Sequence, residues 1–219
     1  MEQDLIITED YNPTLFVTGF IQSNLETVEQ TWTEWYREKL GYIVTSSDVA
    51  GSFPDITRTF LNPLRRINDN KILLLPSADC QWVGAFTNRF PVMDYNAVRY
   101  VGAQIACPHL NAVDIPAPSG DYSIRIYESR QLIYHYYEQG TRKKRLIAAS
   151  QQSERRWDFD NLGEPLPFED TSLYQQRSIK KRFTSETLHG YMRALGIDMY
   201  APGYFQNRGV LIEYSNPMV

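Results

Sequence analysis

The stretch between residues 122 and 160 constrains the fold more than any other part of the sequence. Four short segments with strand-like alternation, at residues 122–127, 132–137, 145–149 and 156–160, are separated by polar pieces that suit turns. In the first segment Tyr122, Ile124 and Ile126 share one face, and the residues between them share the other. This pattern is typical of a sheet with one packed and one wet face, and it predicts an antiparallel meander.

Amphipathic helices are predicted before and after this meander. Asn24 suits the N-cap of the first helix, apolar residues then recur at steps of three and four, and Gly41 suits the left-handed position at its end. The same spacing predicts further helices at residues 56–64, 95–105, 171–183 and 184–196. Compact apolar runs predict further strands at residues 15–20, 71–75, 81–87 and 209–214. The expected fold class is therefore α+β, with a mainly antiparallel sheet flanked by amphipathic helices.

The chain has the length and composition of one globular domain. It contains 219 residues, of which 42% are hydrophobic, and both values are ordinary for such a domain. We therefore expect a single domain over residues 1–219. The proline-rich piece at residues 108–118 is interpreted as a linker or rim loop, and a division into two lobes at this point is the alternative.

Charge and hydropathy exclude several classes of partner. The formal net charge is −4, so no global positive field exists to hold nucleic acid. No run approaches the roughly 20 apolar residues that span a bilayer, and residues 1–4 lack the pattern of a signal peptide. We therefore expect a cytoplasmic protein without a membrane or nucleic-acid partner. Cys80 and Cys107 lie far apart in the sequence, and both are interpreted as buried reduced thiols.

No local motif for catalysis or metal binding is present. His109, His135 and His189 occur singly on different segments, without HxH, HExxH or CxxC spacing. The sequence also lacks GxSxG, GxxxxGK[ST] and GxGxxG. We therefore expect no catalytic residues, no metal ligands and no cofactor, and we interpret the protein as a non-enzyme.

Charged clusters are the remaining candidate sites. Basic residues gather at residues 142–145 and 180–182, where phosphate contact is one interpretation and a solvated turn or helix face is the favoured one. Acidic residues gather around a turn rich in proline and glycine, namely Asp158, Asp160, Glu164, Glu169 and Asp170. Their carboxylates must be exposed or paired. Docking of a basic partner is possible on chemical grounds, while ion pairs with Arg155, Arg156, Arg177 or Arg182 are favoured.

The carboxy-terminal third carries a further pattern. It comprises Arg156-Trp157-Asp158-Phe159, residues 163–169, Tyr174, Arg177, Arg182-Phe183-Thr184, Tyr191 and residues 195–198. This pattern resembles a run in uncharacterised bacterial proteins of the immunity type, from polymorphic toxin or contact-dependent inhibition systems. The resemblance implies a protein that binds a cognate toxin. The matched residues are architectural in kind, because Pro165 and Pro167 stiffen a loop that Phe168 can anchor on the core.

The leading hypothesis is an immunity-type protein that neutralises a bacterial toxin by direct contact. An acidic inhibitor would associate quickly with a basic toxin such as a nuclease. The candidate partner-binding residues are the five acidic residues above and Tyr136, which could serve as an aromatic anchor. We expect a monomer or a small homo-oligomer.

Two alternatives belong to other functional classes. One is an enzyme whose site forms only in the fold, with His135, Glu138, Asp158 or Asp160 as acid and base groups. The other is a small-ligand or oligomeric module with an aromatic pocket near Trp32, Trp35 or Trp82.

Overall fold

A computed structural model describes residues 7–8, 12–64, 70–89, 95–116, 127–154 and 156–217. These residues form a nine-stranded sheet in which every neighbouring pair of strands is antiparallel. The strands are β1 (Val17–Ile21), β2 (Ile43–Ala50), β3 (Lys71–Pro76), β4 (Val83–Thr87), β5 (His109–Ile115), β6 (Ser129–Glu138), β7 (Thr141–Ser153), β8 (Arg156–Leu162) and β9 (Arg208–Ser215). Their order across the sheet is β2-β9-β3-β4-β1-β5-β6-β7-β8. The predicted α+β class with a mainly antiparallel sheet is confirmed.

Helices cover both sides of this sheet. The α-helices of the described residues are α1 (Leu25–Glu34), α2 (Phe53–Leu61), α3 (Tyr95–Ile105) and α4 (Ser185–Ala194). The last turns of the first helix continue as a π-helix, Trp35–Lys39, and short 3-10 helices form at Pro13–Phe16, Thr171–Gln175 and Ile179–Lys181.

The helix ends follow the capping rules that the sequence indicated. The Asn24 side chain accepts a hydrogen bond of 2.9 Å from the Thr27 backbone N–H, and Gly41 has a φ of 68°. At α4 the Thr184 hydroxyl accepts from the Thr187 backbone N–H at 3.2 Å, and Gly196 has a φ of 86°. Both predicted helices are confirmed, because each carries a cap at one end and a left-handed glycine at the other.

Alternate residues of the central strands build two separate cores. On β3, Leu73 and Leu75 join the core under α2 and α4, whereas Ile72 and Leu74 join the core under α1 and α3. We call these the α2/α4 side and the α1/α3 side. All four side chains are at most 1% exposed, and full burial of each contributes about 1.5–3 kcal/mol.

The prediction of a loop at residues 108–118 is wrong for most of these residues. His109–Ile115 forms β5, which pairs with β1 on one side and with β6 on the other. Pro108 and Pro116 lie just outside the ends of this strand, so the prolines do not interrupt its hydrogen bonds. The sheet therefore continues through this stretch, of which residues 117–118 lie outside the described residues.

Other local predictions differ from the structure for identifiable reasons. Residues 171–183 form two short 3-10 helices, because Asp170 caps a tight turn and Gln176 has an extended ψ of 138°. Strand β2 was not predicted, because it is an edge strand on which only Val44 and Val49 are buried. Of the four meander segments, the last three form β6, β7 and β8, whereas residues 122–126 of the first lie outside the described residues.

The two cysteines have different environments. Both are free thiols, but Cys80 is exposed and only Cys107 is buried, so the prediction of a buried Cys80 is wrong. Burial raises the pKa of the Cys107 thiol to about 11.

None of the helices formed by the described part of the chain has the length and apolar character to cross a bilayer.

Candidate functional site

The end of the sheet formed by β6, β7 and β8 has two faces that differ in covering. On the α2/α4 side, α4 and the segment around residues 163–183 pack over the strands. We call this surface the closed face. On the opposite side, α1 and α3 pack over β1, β3, β5 and β9 and do not extend as a layer over β6 to β8. We call that surface the open face.

The closed face holds a buried ion pair. The Arg145 guanidinium donates to both carboxylate oxygens of Glu169, from Nε at 2.8 Å and from Nη2 at 2.6 Å, and both side chains are 0% exposed. Its Nη1 donates to Asn161 Oδ1 at 2.6 Å and to the Leu162 and Gly163 carbonyls at 3.0 and 3.1 Å. The guanidinium therefore clamps the end of β8 and the following loop onto β7.

The Glu169 carboxylate is equally well partnered. It accepts from the Leu166 backbone N–H at 3.0 Å and from the Tyr174 hydroxyl at 2.7 Å. Burial acts to raise the pKa of the Glu169 carboxyl, but these hydrogen bonds and Arg145 outweigh it and hold the pKa below its ordinary value. Tyr191 extends the network, because its hydroxyl accepts from the Asp170 backbone N–H at 2.9 Å. The charges of Arg145 and Glu169 are thus both paired inside the fold.

On the open face, the helices of the described residues form no layer over an apolar strip. Its side chains come from alternate positions of the three strands: Gln131, Ile133 and His135 of β6, Arg142, Lys144, Leu146, Ala148 and Ser150 of β7, and Asp158, Asp160 and Leu162 of β8. Ile133, Leu146 and Leu162 are neighbours across the strands, and none of them belongs to either core. The Leu162 residue is 59% exposed. An exposed apolar strip with a polar rim is typical of a docking surface.

The two ends of the open face carry opposite charge. Asp158 and Asp160 lie opposite Ser150 and Ala148 at one end, and neither Asp accepts a hydrogen bond from a basic residue of a different strand among the described contacts. Lys144, opposite His135, and Arg142, opposite Tyr137, lie at the other end. The apolar strip lies between these ends, so the surface has a defined electrostatic orientation.

Hydrogen bonds fix the polar part of this surface. The Ser129 and Ser150 hydroxyls lie 2.8 Å apart across β6 and β7. The Gln131 amide donates to both hydroxyls, at 3.0 and 3.2 Å. These bonds hold three side chains in one arrangement, which lowers the entropy that docking must remove.

A stacked pair of histidines lies beside the basic end. The His109 and His135 rings, on adjacent strands, have centroids 4.8 Å apart and an interplanar angle of 18°. Burial is the main cause that lowers the pKa of His135 to about 4, and the neighbouring His109 adds to it. Burial likewise lowers the pKa of His109. Both rings are therefore neutral at physiological pH.

The predicted partner-binding residues lie on different surfaces. Asp158 and Asp160 lie on the open face, and exposed Glu164 follows closely after β8. Glu169 is buried on the closed face, so its interpretation as a docking residue is wrong, because its carboxylate is occupied by Arg145.

The other two candidates also lie away from the open face. Asp170 is exposed and caps the turn at Ser172, where its carboxylate accepts from the backbone N–H at 3.0 Å. The Tyr136 ring stacks on Tyr134 with centroids 5.3 Å apart, on the side of β6 opposite His135. Of the six candidate partner-binding residues, the structure therefore brings only Asp158 and Asp160 together on the open face.

One side chain in this region, that of Arg145, contradicts the favoured interpretation of the charged clusters. Arg145 was expected on a solvated turn, yet it is 0% exposed. A signal for its burial is present in the sequence, because Arg145 alternates in phase with Ile147 and Ala149, which face the core. Among the predicted pairs with Asp and Glu, Arg156 reaches Asp158 at 3.2 Å, and both side chains are exposed enough for this contact to contribute little. Arg155 lies outside the described residues.

A second polar cluster, on the α2/α4 side, was missed by the sequence reasoning. Asp114 of β5 accepts from the Ser185 hydroxyl at 2.7 Å and lies 2.9 Å from His189 Nε2. Arg130 contacts Asp114 at 3.3 Å and also donates to Glu128. These partners come from β5, β6 and α4, so no local spacing could reveal them. The hydroxyl points to the carboxylate and not to the imidazole, which is not the arrangement of a nucleophile and its base.

The aromatic-pocket hypothesis has no support from the tryptophan side chains. Trp32 is 0% exposed in the α1/α3 core, and Trp82 is 2% exposed with its Nε1 donating to the Leu195 carbonyl at 3.1 Å. Trp35 stacks on Tyr100 with centroids 4.4 Å apart. A cleft of about 450 Å³ does exist near exposed Cys80, where it is lined by Asp48 and Arg208 among others.

Comparisons with protein-family models, with curated proteins and with solved structures gave no match to this chain. Within the described ranges, no three His, Cys, Asp or Glu side chains gather in a way that could hold a metal ion.

Proposed function

We propose that this protein binds a cognate bacterial toxin through the open face and neutralises it by direct contact. The observation that carries the proposal is the apolar strip of Ile133, Leu146 and Leu162, which lies beside the acidic residues of β8 and has no helix layer over it among the described residues. A partner that covers this strip would remove its apolar surface from water.

Charge complementarity indicates the kind of partner. Asp158 and Asp160 give one end of the surface an acidic character, and the whole chain has a net charge of −4. A toxin with a basic surface, such as a nuclease that binds a polyanion, would be steered towards this end. The cationic Arg142 and Lys144 at the other end would fix the orientation in which it docks.

The resemblance to immunity proteins supports the toxin as the class of partner. Several of its residues, including Glu169, Tyr174 and Tyr191, belong to the network of the closed face. Trp157 and Phe159 of β8 also pack on that side. The shared pattern therefore builds mainly the support beneath the open face. Asp158 of the open face also belongs to it, whereas Ile133, Leu146 and Asp160 stand outside it.

Co-expression with the toxin tests the proposal. The toxin domain is sought at the carboxy-terminal end of a large secreted protein encoded beside this chain. We expect growth to be rescued when this protein is co-expressed and a stable complex to form with the purified domain. Rescue without a complex, or no rescue, would contradict the proposal.

Matched variants test the surface. Leu162→Asp introduces a charge into the apolar strip, and Asp158→Asn with Asp160→Asn removes the acidic end, so both should weaken binding at least tenfold. Asp48→Asn on the distant edge strand β2 is the control and should bind within about twofold of the parent. Binding that is equal for all variants would place the interface elsewhere.

A further inference from the structure

We propose that Arg99, Arg142 and Lys144, together with the buried imidazole of His135, form a binding site for a phosphate-type oxyanion. The site lies at the basic end of the open face, where α3 meets the hairpin of β6 and β7. The inference goes beyond the proposed function: Arg142 and Lys144 also belong to the docking surface, but binding of a small oxyanion is measured without the toxin.

The cations come from two elements that meet at the histidine pair. Lys144 is the cross-strand partner of His135, and Arg142 lies two residues away on the same face of β7. From α3, Gly102 lies so close to His109 that an added Cβ would be 2.3 Å from the ring. Arg99 precedes Gly102 by three residues and thus by nearly one helical turn, which places it on the same side of α3.

All three cations are available for a ligand. Arg99, Arg142 and Lys144 are exposed residues, and the contacts of the described residues include no carboxylate partner for any of them. Burial is the main cause that lowers the pKa of His135, and the nearby cations Arg142, Lys144 and Arg99 lower it further. The site is therefore electropositive although the chain as a whole is acidic.

Buried polar atoms without a partner mark the floor of the site. His109 Nδ1 lies 2.8 Å from the Cys107 carbonyl, so this nitrogen carries the proton. Among the described residues, His109 Nε2 and His135 Nδ1 are buried and lack a hydrogen-bond partner, and of these two only His135 Nδ1 can donate to an anion, because His109 Nε2 carries a lone pair. The His135 residue is only 6% exposed, and such groups normally have a partner in a folded protein.

A tetrahedral oxyanion matches this set of groups. Its oxygens accept charge-assisted hydrogen bonds from guanidinium and ammonium groups. Its negative charge also favours the protonated form of His135, which is neutral when no anion is bound. Carboxylates of a folded neighbour would satisfy the same cations, but none is present among the residues that the structure describes there. Binding therefore brings a proton to the imidazole, and the affinity increases as the pH decreases.

Sulfate is the appropriate probe, because it stays a dianion at the pH values where histidine titrates. The His135 pKa is followed by NMR with and without sulfate at constant ionic strength. We expect sulfate to raise this pKa by about one unit. The His189 resonances, beside Asp114 on the other side of the sheet, serve as the internal control and should not respond.

Adjacent lysines provide a matched pair of variants. Lys144→Gln should weaken sulfate binding about tenfold, because it removes one charge-assisted contact. Lys143→Gln removes the same charge from the next residue, which faces the other side of β7 towards Glu138 at 3.8 Å, and should change binding less than twofold. Thermal unfolding of both variants checks that the fold is retained.

Inorganic phosphate and ADP distinguish the sources of the ligand. Affinity for ADP at least tenfold above that for inorganic phosphate would assign the site to a nucleotide, and similar affinities would assign it to the free anion. An unchanged His135 pKa in sulfate, or equal losses in the two lysine variants, would overturn the inference.

Discussion

The closed and open faces of β6, β7 and β8 use alternate residues of the same strands and treat charge in opposite ways. On the closed face, Arg145 and Glu169 are removed from water, and Arg145 donates hydrogen bonds while Glu169 accepts them. On the open face, Asp160 and Lys144 stay exposed, and they flank apolar side chains that join no core.

Under the proposed function, the two faces separate stability from recognition within one sheet. A buried ion pair is tolerated only when its hydrogen bonds replace those to water, and it then forces the chain into one arrangement. Exposed charges near an apolar strip stabilise the monomer little, but they can select and orient a partner. We therefore expect substitutions on the closed face to change the free energy of unfolding and those on the open face to change binding.

The largest effect is expected at the buried ion pair. Glu169→Gln keeps the shape of the side chain but leaves the Arg145 guanidinium buried without its counter-charge, which should lower the free energy of unfolding by about 3–5 kcal/mol. Urea unfolding measures this value. Asp160→Asn on the open face is the control and should stay within about 0.5 kcal/mol of the parent. A loss below about 1 kcal/mol for the Glu169 variant would contradict the assigned role of the closed face.

Local signals in the sequence predicted the strands beneath both faces but not the pairing of charges on them. The alternation of Arg145, Ile147 and Ala149 and the Thr184 cap with Gly196 are local features, so β7 and α4 could be found. Glu169 lies 24 residues from Arg145, and only the tertiary fold brings them together.

Nonlocal packing also explains the missed histidine pair. His109 and His135 meet because β5 and β6 are neighbours, and β5 was interpreted as a loop. Asp158 and Asp160 could be assigned to one surface, since they alternate on a single predicted strand.

Acid should destabilise the fold through the buried histidine pair at the margin of the open face. The His135 pKa of about 4 lies below the value of about 6.5 in an unfolded chain. The unfolded state therefore binds the proton first, and stability falls as the pH falls below about 6.5 and levels off below about 4. By about pH 5 the free energy of unfolding should decrease by about 2 kcal/mol from His135, and the lowered pKa of His109 adds in the same direction.

A histidine variant separates this effect from that of the carboxylates. The lowered pKa of Glu169 contributes stability that is lost only below the ordinary carboxyl range, at about pH 4.3 and lower. Urea unfolding from about pH 7.5 to 5 thus reports on the histidines. His135→Gln should flatten this part of the profile. A parent whose stability is constant over this range would show that the pair is not neutral in the folded state.

A smaller effect is expected at the hydroxyl that completes the closed network. Tyr174→Phe removes the 2.7 Å hydrogen bond to Glu169 but keeps the aromatic ring and the ion pair, so the free energy of unfolding should fall by about 1.5 kcal/mol. Tyr136→Phe is the matched control, because that ring stacks on Tyr134 and should change stability by less than about 0.5 kcal/mol. Equal losses of unfolding free energy in the two Tyr→Phe variants would show that the hydrogen bond to Glu169 adds no stability.

The smallest effect on stability is expected at the most exposed side chain of the apolar strip. Leu162 is 59% exposed, so Leu162→Ala removes little buried surface and should change the free energy of unfolding by less than about 0.5 kcal/mol. Leu132→Ala truncates a leucine of β6 that is 0% exposed in the α2/α4 core, and it should cost about 2–5 kcal/mol. Urea unfolding of the two variants compares the same chemical change on the two sides of one sheet. A large loss at Leu162 would mean that this side chain already has a partner within the fold, and the open face would then no longer be a surface left for docking.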